Sequence, residues 1–228
     1  MNTTNNIEHA RFNMIEQQIR PWDVLQAPIL ALLSVVKRED FVPAAHRALA
    51  FVDMEIPLYS GPETAANAGQ CMLAPRVEAR MLQEMNIKPT DLVFEIGTGC
   101  GYMAALLAYR AAHVTSLEID SDLANIAREN LQKAGISNVD VRHADGSMAR
   151  QGGLFDVIVL SGSVDHIPAT LLAQLKPGGR LGAIVGDEPM MRAHIVTMGD
   201  DGKAVTRQPW DTVAPRLLNF PRPSRFSF

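Results

Sequence analysis

The chain has 228 residues, of which 47% are hydrophobic and 20% charged, a length and balance that fit one globular domain, spanning residues 1–228, with a large buried core. Its net charge of -4, with lysines and arginines scattered along the chain, excludes a phosphate-backbone footprint and predicts no nucleic-acid partner. Cys71 and Cys100 are too few for a disulfide framework, the six histidines form no metal-ligand pattern, and no apolar run is long enough to span a bilayer, so we expect a cytoplasmic protein without a metal or a membrane partner.

In chain order, residues 1–90 read as a helical lead-in followed by a loop. Phe12, Ile15 and Ile19 recur at helix spacing until Pro21, and Val24, Leu25, Ile29, Leu32, Leu33 and Val36 form the apolar stripe of a second helix, closed by Pro43. From Ile56 to Ala74 prolines and glycines interrupt any period, which marks a long loop and a candidate lid. Pro75 suits the first turn of a helix carrying Val77, Met81, Leu82 and Met85.

Residues 91–228 then alternate strand and helix. Strands are expected at Leu92–Ile96, Val114–Glu118, Val139–His143, Phe155–Leu160 and Arg180–Val185, with helices at Ala104–Ala111, Asp122–Ala134 and Ile167–Leu175 and a turn at Lys176–Gly179. An antiparallel hairpin follows, Ala193–Met198 and Ala204–Arg207 about the Gly199–Gly202 turn, with a further extended piece near Val213–Phe220. The fold class is α/β: a Rossmann-like, mostly parallel open sheet of about seven strands, helices on both faces and antiparallel strands at one edge.

The stretch Leu92-Val93-Phe94-Glu95-Ile96-Gly97-Thr98-Gly99-Cys100-Gly101-Tyr102 runs an apolar strand into a glycine loop and a helix start, where backbone N–H groups can meet a ligand closely. A dinucleotide fingerprint needs a glycine where Tyr102 stands, so the spacing favours S-adenosylmethionine over NAD and argues against the competing class, a redox enzyme. Glu95, Gly97, Thr98, Gly99 and Gly101 are the candidate loop residues; Glu118, about twenty residues on and followed by Ile119, is placed to accept ribose hydroxyls. Asp145-Gly146 after the third strand could meet the exocyclic amine of adenine, against the plain alternative of an Asp-Gly turn, and Ser161 falls at the end of the fourth. No base motif is evident, which mildly favours a carboxylate acceptor, because a carboxylate is ionised at neutral pH and needs only orientation. His143 and His166 near strand ends have no spacing partner and read as structural or solvent-facing; Arg222–Phe228 reads as a docking tail or, more simply, a packed terminus.

The chain resembles the protein-L-isoaspartate O-methyltransferase family. Val36-Lys37-Arg38-Glu39-Asp40-Phe41-Val42 is similar to that family's V-x-R-E-x-F-V, and Glu95 to Tyr102 to its E-I-G-T-G-S-G-Y. Phe155–Val159, Ile167-Pro168, Leu175–Gly179 and Ala214-Pro215 follow in the family's order. The resemblance implies S-adenosylmethionine as cofactor and an isoaspartyl-containing protein or peptide as partner, with a monomer or homodimer left open. One departure stands out. The family's substrate loop reads G-Q-T-I-S-x-P, whereas this chain reads Gly69-Gln70-Cys71-Met72-Leu73-Ala74-Pro75, with Leu73 at the position of the serine and Cys71 at that of the threonine. Leucine offers no hydrogen bond and a thiol only a weak one. Three readings follow: a slow isoaspartyl methyltransferase, a methyltransferase for an apolar small-molecule acceptor, or a cofactor-binding protein without turnover.

Overall fold

The computed structural model describes residues 3–59, 69–148 and 152–222. Seven strands form one sheet in the spatial order β5-β4-β3-β6-β7-β8-β9, preceded in the chain by a small pair, β1 (Ile56–Pro57) and β2 (Cys71–Met72). The central strands β3 (Leu92–Ile96), β4 (His113–Glu118), β5 (Val139–His143), β6 (Phe155–Val164) and β7 (Leu175–Asp187) run parallel. β8 (Met190–Met198) and β9 (Ala204–Asp211) then fold back antiparallel as a meander at one edge. This is the mostly parallel sheet with an antiparallel edge that the sequence pattern predicts.

Both faces of the sheet are covered, and the strand sequences show why. In β3 and β6, Val93, Val157 and Val159 join the core on one face, while Phe94, Ile96, Ile158 and Leu160 join a second core on the other, so alternate residues are apolar on both sides. The first core holds Met14, Ile15 and Ile19 just beyond α1 (Thr3–Asn13), and α2 (Ala27–Val35), α3 (Pro75–Met85), α4 (Tyr102–Ala108) and α5 (Ser121–Lys133). The second is closed by the short α6 (Ala169–Leu172) and by Phe220.

Several expectations shift. A π-helical turn, Met14–Ile19, continues α1 and widens the helical period, so Ile15 and Ile19 are buried while Phe12 is 60% exposed. α2 begins at Ala27 with Pro28 in its first turn; Leu25 therefore precedes the helix and is exposed instead of joining the stripe. The helix expected over Ile167–Leu175 shortens to Ala169–Leu172, because Leu175 already opens β7. Lys176–Gly179, read as a turn, lies inside β7, where the register against β6 breaks between Phe155 and Val157. The extended piece near Val213–Phe220 runs beside β6, where Arg216 bridges Ser163, Ser163 N–H donates to Pro215 O and Leu217 N–H donates to Ser163 O, but it does not join the sheet as a strand. The loop from Ile56 to Ala74 is zipped at its base by the β1–β2 pairing, and residues 60–68, the body of the expected lid, lie outside the described residues, as do 223–228 of the tail. No helix among the described residues is long and apolar enough to cross a membrane.

Candidate functional site

A cleft opens beyond the carboxyl ends of β3, β4 and β6, where parallel sheets of this kind place ligands. Gly97, Gly99 and Gly101 take φ of 94°, 53° and 88°, a left-handed run that residues with side chains rarely adopt, so the chain leaves β3 and turns into α4 within five residues. Gly97 N–H donates to Leu117 O at 2.9 Å, which ties the loop to β4. Gly99 N–H donates to Glu118 Oε2 at 2.7 Å, and Asp120 N–H to Glu118 Oε1 at 3.1 Å. Glu118 is thus held at the end of β4 by two backbone donors, with carboxylate lone pairs left for a ligand in the cleft. Burial raises its pKa, partly offset by the N–H groups of Asp120, Gly99 and Ile119.

Behind the loop lies a buried hydroxyl–carboxylate chain. Glu95, fully buried, accepts Ser116 Oγ–H at 2.6 Å and Ser161 Oγ–H at 2.7 Å. Thr98 Oγ1 sits 2.6 Å from Ser116 Oγ and, with Ser116 donating to Glu95, is the donor of that pair. Burial pushes the Glu95 pKa up to about 7 against the lowering effect of both serines.

The structure divides the candidate residues into two groups. Gly97, Gly99, Glu118, Ile119, Asp145, Gly146, Ser161 and Cys71 line the cleft. Glu95, Thr98 and Gly101 stand behind it: Glu95 reaches the cleft only through Ser161, Thr98 is buried against Ser116, and a Cβ at Gly101 would meet Ala127 of α5 at 3.3 Å. Gly146 has a spatial reason to lack a side chain, since a Cβ there would fall 2.2 Å from Ile96 Cγ2. Asp145 accepts Ser147 N–H at 2.9 Å and Asn219 Nδ2–H at 2.7 Å; burial acts to raise its pKa, and hydrogen bonds from the Ser147 side chain, Asn219 and Ser147 N–H outweigh it and hold the carboxyl below its ordinary value. Its carboxylate has more acceptor sites than these donors fill, which leaves room for a ligand amine.

Leu73 belongs elsewhere. Its side chain packs on the first core and lines a small apolar hollow with Val77, Met81, Met103 and Ile184, separated from the cleft by Ser161, which borders both. The Leu73 carbonyl accepts Arg38 Nη2–H at 2.7 Å. Burial and neighbouring Glu55 drive the Cys71 thiol above its ordinary pKa, which disfavours its thiolate at neutral pH. Neither His143 nor His166 is among the described lining residues, and those residues contain no lysine; Arg216, paired with Asp165 at 3.1 Å and Asp187 at 3.2 Å, is their one cation.

Sequence reasoning missed three contributors. Asp120 caps α5 through Asp122 N–H and Leu123 N–H, and also accepts Tyr59 Oη–H at 2.8 Å and Gln70 Nε2–H at 3.0 Å, so it fastens both arms of the 59–70 loop beside Glu118. Its position two residues after Glu118, just before a helical run, carried an N-cap signal. Arg216 and Leu217 cross the end of β6, with Leu217 N–H bonded to Ser163 O at 2.9 Å and Leu217 Cδ2 2.9 Å from where a Gly97 Cβ would sit. No local signal marks them. Among the described residues no group of three or more His, Cys, Asp or Glu could hold a metal ion.

With this geometry in view, the comparisons with known proteins agree among themselves. The family model for protein-L-isoaspartate(D-aspartate) O-methyltransferase (PCMT) matches residues 10–213. A protein-L-isoaspartate O-methyltransferase of Koribacter versatilis is 36% identical over 188 residues, covering 82% of this chain and 81% of the relative. One from Methanoculleus marisnigri is 38% identical over 177 residues, 77% of each. Among solved structures, a Plasmodium falciparum protein assigned to the same activity, in complex with S-adenosyl-L-homocysteine, superposes with a TM-score of 0.73 at 18% identity, over 92% of this chain and 97% of that one; at such identity the match speaks for the fold. The chain belongs to the protein-L-isoaspartate(D-aspartate) O-methyltransferase family.

Proposed function

We propose that the chain is an S-adenosylmethionine-dependent methyltransferase of the isoaspartyl type, transferring a methyl group to a carboxylate of damaged protein or peptide. The observation that carries the reading is the Glu118 carboxylate, seated by Gly99 N–H at 2.7 Å at the mouth of the glycine-loop cleft. The residues fit a nucleoside sulfonium. Glu118 can accept ribose hydroxyls, while Asp145 and the apolar floor of Ile96, Leu117 and Leu123, clear of a side chain at Gly146, suit a purine with an exocyclic amine. Glu95 supports an ammonium group through Ser161.

When bound, S-adenosylmethionine supplies an electrophilic methyl on a positively charged sulfur that leaves as a neutral thioether. The chain's own residues have to orient the acceptor and exclude water. A carboxylate acceptor is ionised at neutral pH and requires no base, in keeping with described lining residues that include neither histidine nor lysine. Arg216 offers a cation on the acceptor side, its charge shared with Asp165 and Asp187. We take the two parts of the chain, lead-in and α/β core, to act as a single cytoplasmic domain without a nucleic-acid partner, in line with two unpaired cysteines and a net charge of -4.

A second reading rests on Leu73: where the family loop has a hydroxyl, this chain has a side chain beside an apolar hollow, which favours an acceptor with an apolar group. Methyl-labelled S-adenosylmethionine offered to an isoaspartyl peptide and to its aspartyl isomer tests the assignment. Base-labile label on the isoaspartyl peptide alone supports it; label on neither, with label appearing on a small molecule from a cell extract, favours the second reading.

A further inference from the structure

The lead-in run Val36–Val42 sends buried side chains in three directions. Glu39 pairs with Arg11 of α1, the Phe41 ring packs edge-on to Tyr102 with centroids 5.5 Å apart, and Arg38 is fully buried between the acceptor side and the cofactor side. Arg38 Nη1 forms an ion pair with Glu78 of α3, itself only 5% exposed. Nη2 donates to Leu73 O at 2.7 Å, and the guanidinium lies over the Tyr102 ring, 5.2 Å from its centroid. Leu73 and Glu78 flank the start of α3, on the acceptor side; Tyr102 is the first residue of α4, directly after the glycine loop. One side chain therefore touches the acceptor loop and the helix that the cofactor loop feeds.

We propose that Arg38 is a positioning residue for methyl transfer, pinning the main chain at Leu73 at a set distance from the glycine loop. The proposal rests on the methyl-transfer reading above, with Arg38 touching neither substrate nor cofactor. Its logic is that of near-attack geometry: the reaction makes few chemical demands, so the relative placement of donor and acceptor carries the rate. Arginine suits the task because its planar fork donates to Glu78 and to Leu73 O from two nitrogens of one rigid group, with its charge compensated by Glu78 and the Tyr102 face. The arrangement also gives the Leu73 backbone a role that does not depend on which side chain the residue carries.

The test compares wild type, Arg38→Lys and the double variant Arg38→Met/Glu78→Met. The lysine keeps the charge facing Glu78 without the fork, and the double variant removes both buried charges together, which avoids leaving either one uncompensated. For each, thermal unfolding, calorimetric affinity for S-adenosylhomocysteine, steady-state kinetics on an isoaspartyl peptide, and hydrogen exchange at Met72–Ala74 are measured. Expected in both variants are a folded protein, cofactor affinity within about twofold of wild type, a fall in kcat/KM for peptide of roughly tenfold from one lost charge-assisted hydrogen bond, and exchange at Met72–Ala74 faster than in wild type with that at Leu92–Ile96 unchanged. Wild-type kcat/KM together with wild-type exchange in the double variant would overturn the proposal, as would a loss of activity that merely tracks a loss of cofactor affinity. If wild type does not turn over the peptide, the functional reading falls while the exchange data still decide whether Arg38 holds the loop.

Discussion

The two sides of the cleft are built on different principles. On the cofactor side, the glycine loop, Glu118 and Asp120 come from one strand–loop–helix–strand unit of under thirty residues, fastened by Gly97 to Leu117 and Gly99 to Glu118. On the acceptor side, Leu73 hangs from Arg38, Gln70 from Asp120, and Arg216 from Asp165, each contact joining segments 35 to 51 residues apart. On the proposed reading, the difference teaches that the loop-and-acid half of the donor site is a local motif, completed by Asp145 and Gly146 from beyond β5, whereas the acceptor site is assembled by tertiary packing.

The largest effect should come from breaking the cofactor side at its acid. Glu118→Ala removes the acceptor of two backbone N–H groups and of the sugar hydroxyls, and should weaken S-adenosylhomocysteine binding by about 1.5–3 kcal/mol, with the fold retained by circular dichroism. Unchanged calorimetric affinity would put the ligand elsewhere. On the acceptor side, Leu73→Ser restores the missing hydroxyl and should raise isoaspartyl methylation by about tenfold. A variant no faster than wild type would mean that the acceptor does not meet this position.

Gly146→Ala sharpens the comparison from within the cofactor side. Its Cβ would press on Ile96 Cγ2, and moving that buried side chain should cost about 1–3 kcal/mol in thermal unfolding and weaken the cofactor as well. A variant with wild-type Tm and affinity would show that the floor yields freely.

A smaller effect follows from Glu95, whose folded pKa of about 7 stands above that of an exposed carboxyl. Between about pH 4.5 and 7 the unfolded chain releases this proton while the folded protein keeps it, so Glu95 makes the cofactor-free protein less stable as pH rises through that window, with no further change above it. A cofactor ammonium favours the ionised carboxyl, so affinity should rise by about threefold from pH 5.5 to 7, with proton release seen as a buffer-dependent binding enthalpy. Glu95→Gln should flatten both profiles, and an unchanged pH dependence in that variant would remove Glu95 from the linkage. Far from either side, Lys133→Ala on the outer face of α5 deletes an exposed pair with Glu129 and should change stability by less than about 0.5 kcal/mol in denaturant unfolding.

The same contrast explains what could be read from the chain before its structure. The alternation of strands and helices was legible because parallel strands covered on both faces keep unbroken apolar runs, as at Val157–Leu160, and the loop was legible because its glycines carry their spacing in the sequence. Phe12 was misplaced because a π-helical turn alters the period that the eye assumes. Arg38 was visible only as part of the lead-in motif; that its side chain ends on Leu73 O is a consequence of the packing of α3 against the lead-in, which no local pattern encodes. Leu217 was invisible for the same reason, since it reaches Gly97 from 120 positions along the chain.

The central claim is that the glycine-loop cleft holds the sulfonium donor with its sugar against Glu118. A crystal structure of the protein soaked with S-adenosylhomocysteine tests it most directly. The account predicts ligand density over the carboxyl ends of β3 and β4, with ribose oxygens within hydrogen-bond distance of Glu118 and the purine beside Gly146; density bound at another surface, or none in the cleft at saturating ligand, would contradict it.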